Sequence, residues 1–121
     1  YTLDALQVSC GDPLVPTATA TISDELGVKH VVCATGTGPV DAAYKAVDKV
    51  VAVHGDLAEF SVKAISRGID AIGEVTVRIT AEDGKVYTGR GADTDIIVSS
   101  AKAYVNAVNR MIQTARSKEG K

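Results

Sequence analysis

Apolar and polar positions alternate along short stretches of the chain and then change period, and they do so twice. Val75-Thr-Val-Arg-Ile-Thr80 sets Val75, Val77 and Ile79 on one face and Thr76, Arg78 and Thr80 on the other. Ala18-Thr-Ala-Thr-Ile22 repeats the pattern, Phe60-Ser-Val-Lys-Ala64 follows it, and Leu3-Asp-Ala-Leu-Gln-Val8 follows it in part. Period two with β-branched residues predicts antiparallel strands that lay one face on a core. The breaks carry turn chemistry, Asp24-Glu-Leu-Gly27 and Glu82-Asp-Gly84, where glycine accepts the positive φ of a tight hairpin. A third strand is predicted after each hairpin, over 28–34 and 85–89.

From Pro39 the period becomes 3.6. Val40, Ala43, Tyr44, Val47, Val50 and Val51 fall on one stripe, with Asp41, Lys45, Asp48 and Lys49 largely off it. A second stripe, Ile97, Ala101, Tyr104, Val108 and Met111, ends near Arg116 before a polar tail, 117–121. Pro39 suits a first helical turn, where its missing N–H costs nothing. Asp93 and Asp95 precede the second helix, and Arg110 and Arg116 lie toward its end, matching the helix dipole at both poles. Tyr44 and Tyr104 fall within the stripes and read as core.

Shifting the sequence by 57 positions lays residues 1–46 over 58–103 without a gap. Nine positions then coincide: Ser9/Ser66, Gly11/Gly68, Thr19/Thr76, Ile22/Ile79, Glu25/Glu82, Gly27/Gly84, Thr37/Thr94, Lys45/Lys102 and Ala46/Ala103. Strand lies over strand and helix over helix. The expected architecture is α+β, with two pseudo-repeated βββα units, about six antiparallel strands and two long helices packed on the sheets. The organisation expected is a single domain, 1–121, made of unit one (1–56), unit two (57–116) and the tail. A three-stranded sheet with one helix leaves surface uncovered, so a homodimer is expected.

Composition narrows the function. The 121 residues are 45% apolar and 23% charged, an ordinary globular balance, and are too few for a 250-residue catalytic barrel. A net charge of −2, with scattered aromatics, disfavours nucleic acid as a partner. No apolar run approaches the roughly 20 residues of a membrane span, so no membrane partner is expected. Cys10 and Cys33 read as free thiols in a reducing cytosol, a cytoplasmic expectation. The chain begins at Tyr1 without an initiator Met and reads as a piece of a larger protein.

Two glycine-rich stretches stand before the helices, Ala34-Thr-Gly36-Thr-Gly38-Pro39 and Gly89-Arg-Gly91-Ala-Asp93-Thr-Asp95. A strand, Gly-x-Gly and a helix start would present free N–H groups at a positive helix end, a means of holding a carboxylate or phosphate. The alternative is that these glycines only permit a sharp turn. Asp41, Asp93 and Asp95 cap helix ends or hold a turn, or else one accepts a hydrogen bond from a ligand ammonium. His30 falls in a strand, and His54 with Gly55 reads as the end of the first helix. Ser99 and Ser100 lack a nucleophile-elbow motif, and no metal-ligand spacing occurs, so neither catalysis nor a metal is assigned.

Five segments carry a family resemblance. Gly36-Thr-Gly-Pro-Val-Asp-Ala-Ala-Tyr-Lys-Ala-Val47, Phe60-Ser-Val-Lys-Ala-Ile65, Gly73-Glu-Val-Thr-Val77, Tyr87-Thr-Gly-Arg-Gly-Ala-Asp-Thr-Asp-Ile-Ile97 and Ala103-Tyr-Val-Asn-Ala-Val-Asn-Arg110 together resemble the C-terminal regulatory domain of the 2-isopropylmalate synthase and citramalate synthase family. The resemblance covers roughly residues 1–113. It implies a parent transferase that condenses acetyl-CoA with a 2-oxo acid on a separate, divalent-metal-dependent barrel. It further implies a cytoplasmic homodimer whose regulatory domain needs no cofactor and binds the end-product amino acid. Feedback inhibition by leucine in leucine biosynthesis is the expectation, with isoleucine and citramalate synthase, or a dimerisation module without effector, as alternatives. Carried over by position, the effector contacts would be Gly36, Gly38, Val40 and Asp41, an apolar wall of Leu57, Phe60, Ala64 and Ala71, and Ala92, Thr94 and Ile96. Phe60 stands where the family commonly has an aromatic with a hydroxyl, so any contact of that hydroxyl is lost.

Overall fold

The structure, a computed structural model, describes residues 1–11, 14–51, 56–64, 72–81, 84–93 and 95–119, with the backbone alone at 10, 11, 14, 56, 64 and 115–119. The order of elements is β1 (Thr2–Gly11), β2 (Leu14–Ser23), β3 (Lys29–Thr35), α1 (Pro39–Val50), β4 (Asp56–Ala64), β5 (Gly73–Thr80), β6 (Val86–Asp93) and α2 (Ile96–Glu119). Two compact units result, Tyr1–Ala52 and Val53–Lys121. Each is a three-stranded antiparallel sheet in sequential order followed by one helix. The α+β expectation of two βββα units is met.

In the first unit, Ala18, Ala20 and Ile22 alternate into the core beneath α1, which packs on all three strands and buries Ala42, Ala43, Tyr44, Ala46 and Val47. In the second, Val75, Val77 and Ile79 are fully buried beneath α2, with Tyr104, Val108 and Met111 on the helix side. Each buried Val or Ile side chain stabilises the unit by about 1.5–3 kcal/mol. Ser99 and Ser100 are also fully buried, with hydroxyls that donate to backbone carbonyls. They are packing residues of α2.

The hairpin turns are copies of each other. Asp24 N donates to Val28 O and Gly27 N to Asp24 O; Ala81 N donates to Lys85 O and Gly84 N to Ala81 O. Gly27 and Gly84 take φ of 79° and 84°, the left-handed conformation expected of them. Glu82 and Asp83 lie outside the described residues. The Asp24 carboxylate also accepts the N–H groups of Leu26 and Val28 and meets His30 Nε2 at 3.0 Å. The His30 bond first, then these amides, hold its pKa below the ordinary value.

Three sequence expectations change. The 57-residue shift holds from β2 onward, but Val8 pairs with Ala18 whereas Val62 pairs with Val75. The first strands are therefore offset by 54, and three extra residues separate β4 from β5. Leu3, Leu6 and Val8 match Leu57, Phe60 and Val62, each strand bulging after its first leucine. Ser66 and Gly68, which the 57-residue shift lays over Ser9 and Gly11, lie outside the described residues. Second, α2 continues past Arg116 to Glu119, since the sequence supplies no helix breaker before Gly120. Third, β6 runs to Asp93, so Gly89 and Gly91 lie in a strand and not in a turn. His54 lies outside the described residues.

Candidate functional site

The junction between β3 and α1 is built from a short run of small residues. Gly36 N donates to Pro16 O at 3.0 Å, closing the strand end. A Cβ on Gly36 would lie 2.5 Å from Ala42 N and 2.6 Å from Asp41 Oδ2, so only glycine fits beneath the helix start. Gly38 is the N-cap, with extended backbone (φ −158°), no side-chain cap and open space where a Cβ would stand. Pro39 occupies the first helical turn, and Ala42 N makes the first helical bond, to Gly38 O at 2.9 Å. Helix geometry leaves the Val40 and Asp41 amides without an intrahelical acceptor, at the positive end of the helix dipole.

Asp41 turns back onto its own junction. Its Oδ2 accepts Thr37 N at 2.9 Å and meets Lys45 Nζ at 3.2 Å, one helical turn on. The Thr37 amide first and Lys45 second hold its carboxyl below the ordinary carboxylate value. Of the two roles anticipated for this residue, the geometry displays the turn-holding one. Lys45 offsets a negative charge that would otherwise oppose an anion at the helix start.

The second junction is different, and this corrects the expectation of a duplicated glycine turn. Gly89 and Gly91 occupy the positions of Val32 and Ala34 in the first unit, and they let α2 approach β6 closely. A Cβ on Gly91 would lie 2.7 Å from Ala103 N, and one on Gly89 2.9 Å from Ala107 Cα. The helix start is already capped: Asp95 Oδ1 accepts Ile97 N at 2.8 Å and Val98 N at 3.4 Å. Asp93 accepts Asp95 N through Oδ1 and meets Lys102 Nζ at 3.0 Å through Oδ2. These first-turn amides therefore serve an internal carboxylate.

The apolar wall falls on β4. Its register with Ile79, Val77 and Val75 puts Leu57, Phe60 and Val62 on the helix side of the sheet. Among the described residues α2 packs on β5 and β6 and not on β4. These three side chains consequently remain 49%, 40% and 49% exposed. Val62 was missed by sequence reasoning, although its place two residues after Phe60 in an alternating strand is the signal that finds it. Ala64, described by its backbone, ends the strand opposite Gly73. Ile96 opens α2 and packs its Cδ1 against Gly73. Ala92 pairs with Glu74 on the opposite face of the sheet from Phe60. Ala71 and Thr94 lie outside the described residues. No group of three or more His, Cys, Asp or Glu among the described residues could hold a metal. No described helix is long and apolar enough to cross a membrane.

The family model described as the LeuA allosteric (dimerisation) domain matches residues 1–112. This chain belongs to that family. It is 75% identical over all 121 residues to a 2-isopropylmalate synthase of Olsenella uli, of which it spans 24%. It is also 52% identical over 112 residues, 93% of the chain and 21% of the relative, to the 2-isopropylmalate synthase of a Prochlorococcus marinus strain. The corresponding protein of Gloeobacter violaceus is 50% identical over 111 residues, 92% of the chain and 20% of the relative. The chain thus spans about a quarter or less of the curated relatives it matches. The matched family is described as an allosteric and dimerisation domain.

Proposed function

We propose that this chain is the effector-sensing part of a 2-isopropylmalate synthase and that leucine is the effector. The observation that carries the reading is the LeuA-domain match over residues 1–112, joined to a helix start without a side-chain cap. A leucine zwitterion needs N–H donors for its carboxylate and apolar cover for its side chain. The Val40 and Asp41 amides after Gly36–Gly38 supply the first. For the second, the resemblance offers Leu57 and Phe60. Ala64, Ala71, Ala92, Thr94 and Ile96 enter the proposal on the resemblance alone.

In the longer parent, leucine would act on a condensation of acetyl-CoA with 2-oxoisovalerate in a catalytic barrel outside this chain, and the divalent metal belongs to that barrel. Inhibition follows if leucine binds one arrangement of the dimeric parent more tightly than another. Isothermal calorimetry with leucine, isoleucine and valine tests the reading. Leucine is expected to give heat, and isoleucine binds more weakly by about 1–3 kcal/mol, the range for a shifted methyl in an apolar site. Gly38→Val should remove the leucine heat, because the site of its Cβ is open within the fold and the change obstructs only an approaching ligand. Gln113→Ala, on an exposed turn of α2, should leave it intact. Absence of heat with all three amino acids refutes the proposal, and a tighter isoleucine response assigns the other effector.

A further inference from the structure

The two strand-to-helix junctions are built on the same lysine. Lys45 and Lys102, equivalent under the 57-residue shift, each meet a junction carboxylate: Lys45 at Asp41 Oδ2 (3.2 Å) and Lys102 at Asp93 Oδ2 (3.0 Å). The equivalence runs on along both helices, for Lys49 Nζ donates to Cys33 O and its counterpart Asn106 Nδ2 donates to Arg90 O. What has moved is the carboxylate. Asp93 comes from the end of β6, at the position of Gly36, whereas Asp41 comes from the third residue of α1, at the position of Val98. A Cβ on Gly36 would stand 2.6 Å from Asp41 Oδ2, so the helix carboxylate fills the space in which a strand-end side chain would begin. The move changes which amides are taken. In the second unit Asp93 accepts Asp95 N, and Asp95 then accepts Ile97 N and Val98 N of the helix start. In the first, Asp41 accepts Thr37 N, which precedes the helix, and Gly38 makes no side-chain cap.

We infer that Lys45 is a positioning residue for a ligand carboxylate at the start of α1. It holds the Asp41 carboxylate on Thr37 and offsets its charge, so that the Val40 and Asp41 amides meet an incoming anion without an internal rival. The inference rests on the leucine reading and adds to it the residue that tunes affinity from one helical turn away. Lys45 itself touches no ligand in this account. The bonds from Thr37 and Lys45 keep Asp41 ionised near neutrality, so the charge to be offset is a whole one. A carboxylate in a first turn is drawn to the positive helix end, where it competes with any ligand anion. With Lys45 removed, like charges a few ångströms apart in a water-like medium weaken the ligand by about three- to tenfold. Salt screens that repulsion, whereas it does not restore a loosened fold.

Leucine calorimetry on the unaltered chain and its variants, at about 0.01 M and about 1 M salt, tests it. Lys45→Met should raise the leucine Kd by about three- to tenfold at low salt, and the ratio to the unaltered chain should fall toward one at high salt. Lys45→Arg, which keeps the charge, should stay within about twofold. Adding Asp41→Asn to Lys45→Met should recover the loss, since no charge then opposes the ligand. Lys102→Met breaks the twin pair at a helix start that Asp95 already caps, and should leave the Kd within about twofold. Circular dichroism checks each variant, and Lys45→Gln replaces Lys45→Met if the latter does not fold. An unchanged Kd in Lys45→Met, a loss that salt does not relieve, an equal loss in Lys102→Met, or no recovery in the double variant would each overturn the inference and leave the leucine reading standing. Absence of leucine heat in the unaltered chain would overturn that reading, and this inference with it.

Discussion

Gly91→Ala isolates the close approach of α2 to β6. The added methyl would lie 2.7 Å from Ala103 N and 2.8 Å from Lys102 Cβ, against ordinary contact at 3.4 Å or more. Ala103 N and the still nearer Ser99 O are helix backbone, so no side-chain rotation relieves them, and α2 must lift away from the strand. Overpacking of this kind costs about 1–3 kcal/mol. Burying one methyl returns about 0.8 kcal/mol at most, and the reduced freedom of the unfolded chain returns about 0.4–1 kcal/mol, but only if native geometry is kept. Because lifting α2 also loosens Ser99, Ala103 and Ala107, all fully buried, the net loss should be about 2 kcal/mol. With unfolding entropy near 2.1 cal/mol/K per residue, that lowers Tm by roughly 8 °C in a chain of this length. Urea unfolding of Gly91→Ala beside Gly38→Ala measures it, since a Cβ at Gly38 meets nothing within 4 Å. Losses below about 0.5 kcal/mol, or equal losses in both variants, would refute the argument that contact with the helix backbone fixes glycine in β6.

The helix caps give a second comparison: Asp95→Ala should cost about 1 kcal/mol through two unsatisfied α2 amides, measured by the same urea series, whereas Gly38→Ser should gain a few tenths by capping α1. Acid stability should depend on Asp24 and Asp41. Both are held below the ordinary value of 3.8 in the fold, so their stabilisation is present above that pH and disappears as pH falls through the lower folded values. Denaturant midpoints of Asp24→Asn and Asp41→Asn should lie below the parent's near neutrality and converge with it in strong acid. Parallel curves at all pH values would contradict that. Ser99→Ala should cost about 1 kcal/mol, because its hydroxyl is a buried donor within 3.0 Å of both Gly73 O and Asp95 O, and a fluorescence-monitored melt reads the loss.

The strands and helices were legible because period two and period 3.6 are written in residues whose only alternative is exposure. Val75, Val77 and Ile79, the Tyr44 and Tyr104 stripes, and Pro39 all stand where the pattern puts them. What escaped was written in small residues. Ala103, Ala107 and Ser99 carry no hydrophobic signal comparable to leucine, yet they form the contact face of α2 because Gly89 and Gly91 bring the backbones together. The same pair was read as a turn since Gly-x-Gly before a helix serves either purpose, and only the strand pairing of Gly91 with Val75 separates them. The exposed apolar side of β4 was legible as alternation but not as exposure, which depends on where α2 stops.

A duplicated fold makes its own differences informative. The two hairpin turns keep the same hydrogen bonds and positive-φ glycines, so selection for folding alone suffices to hold them alike. The strand-to-helix junctions diverge: one closes its helix start with Asp95, and the other leaves Gly38 as a cap without a side chain and sends Asp41 back to Thr37. If folding were the only requirement, the capped arrangement would serve both, since a side-chain cap in place of glycine stabilises a helix by a few tenths of a kcal/mol. Forgoing that cap at α1 alone supports the proposal that leucine approaches the Val40 and Asp41 amides.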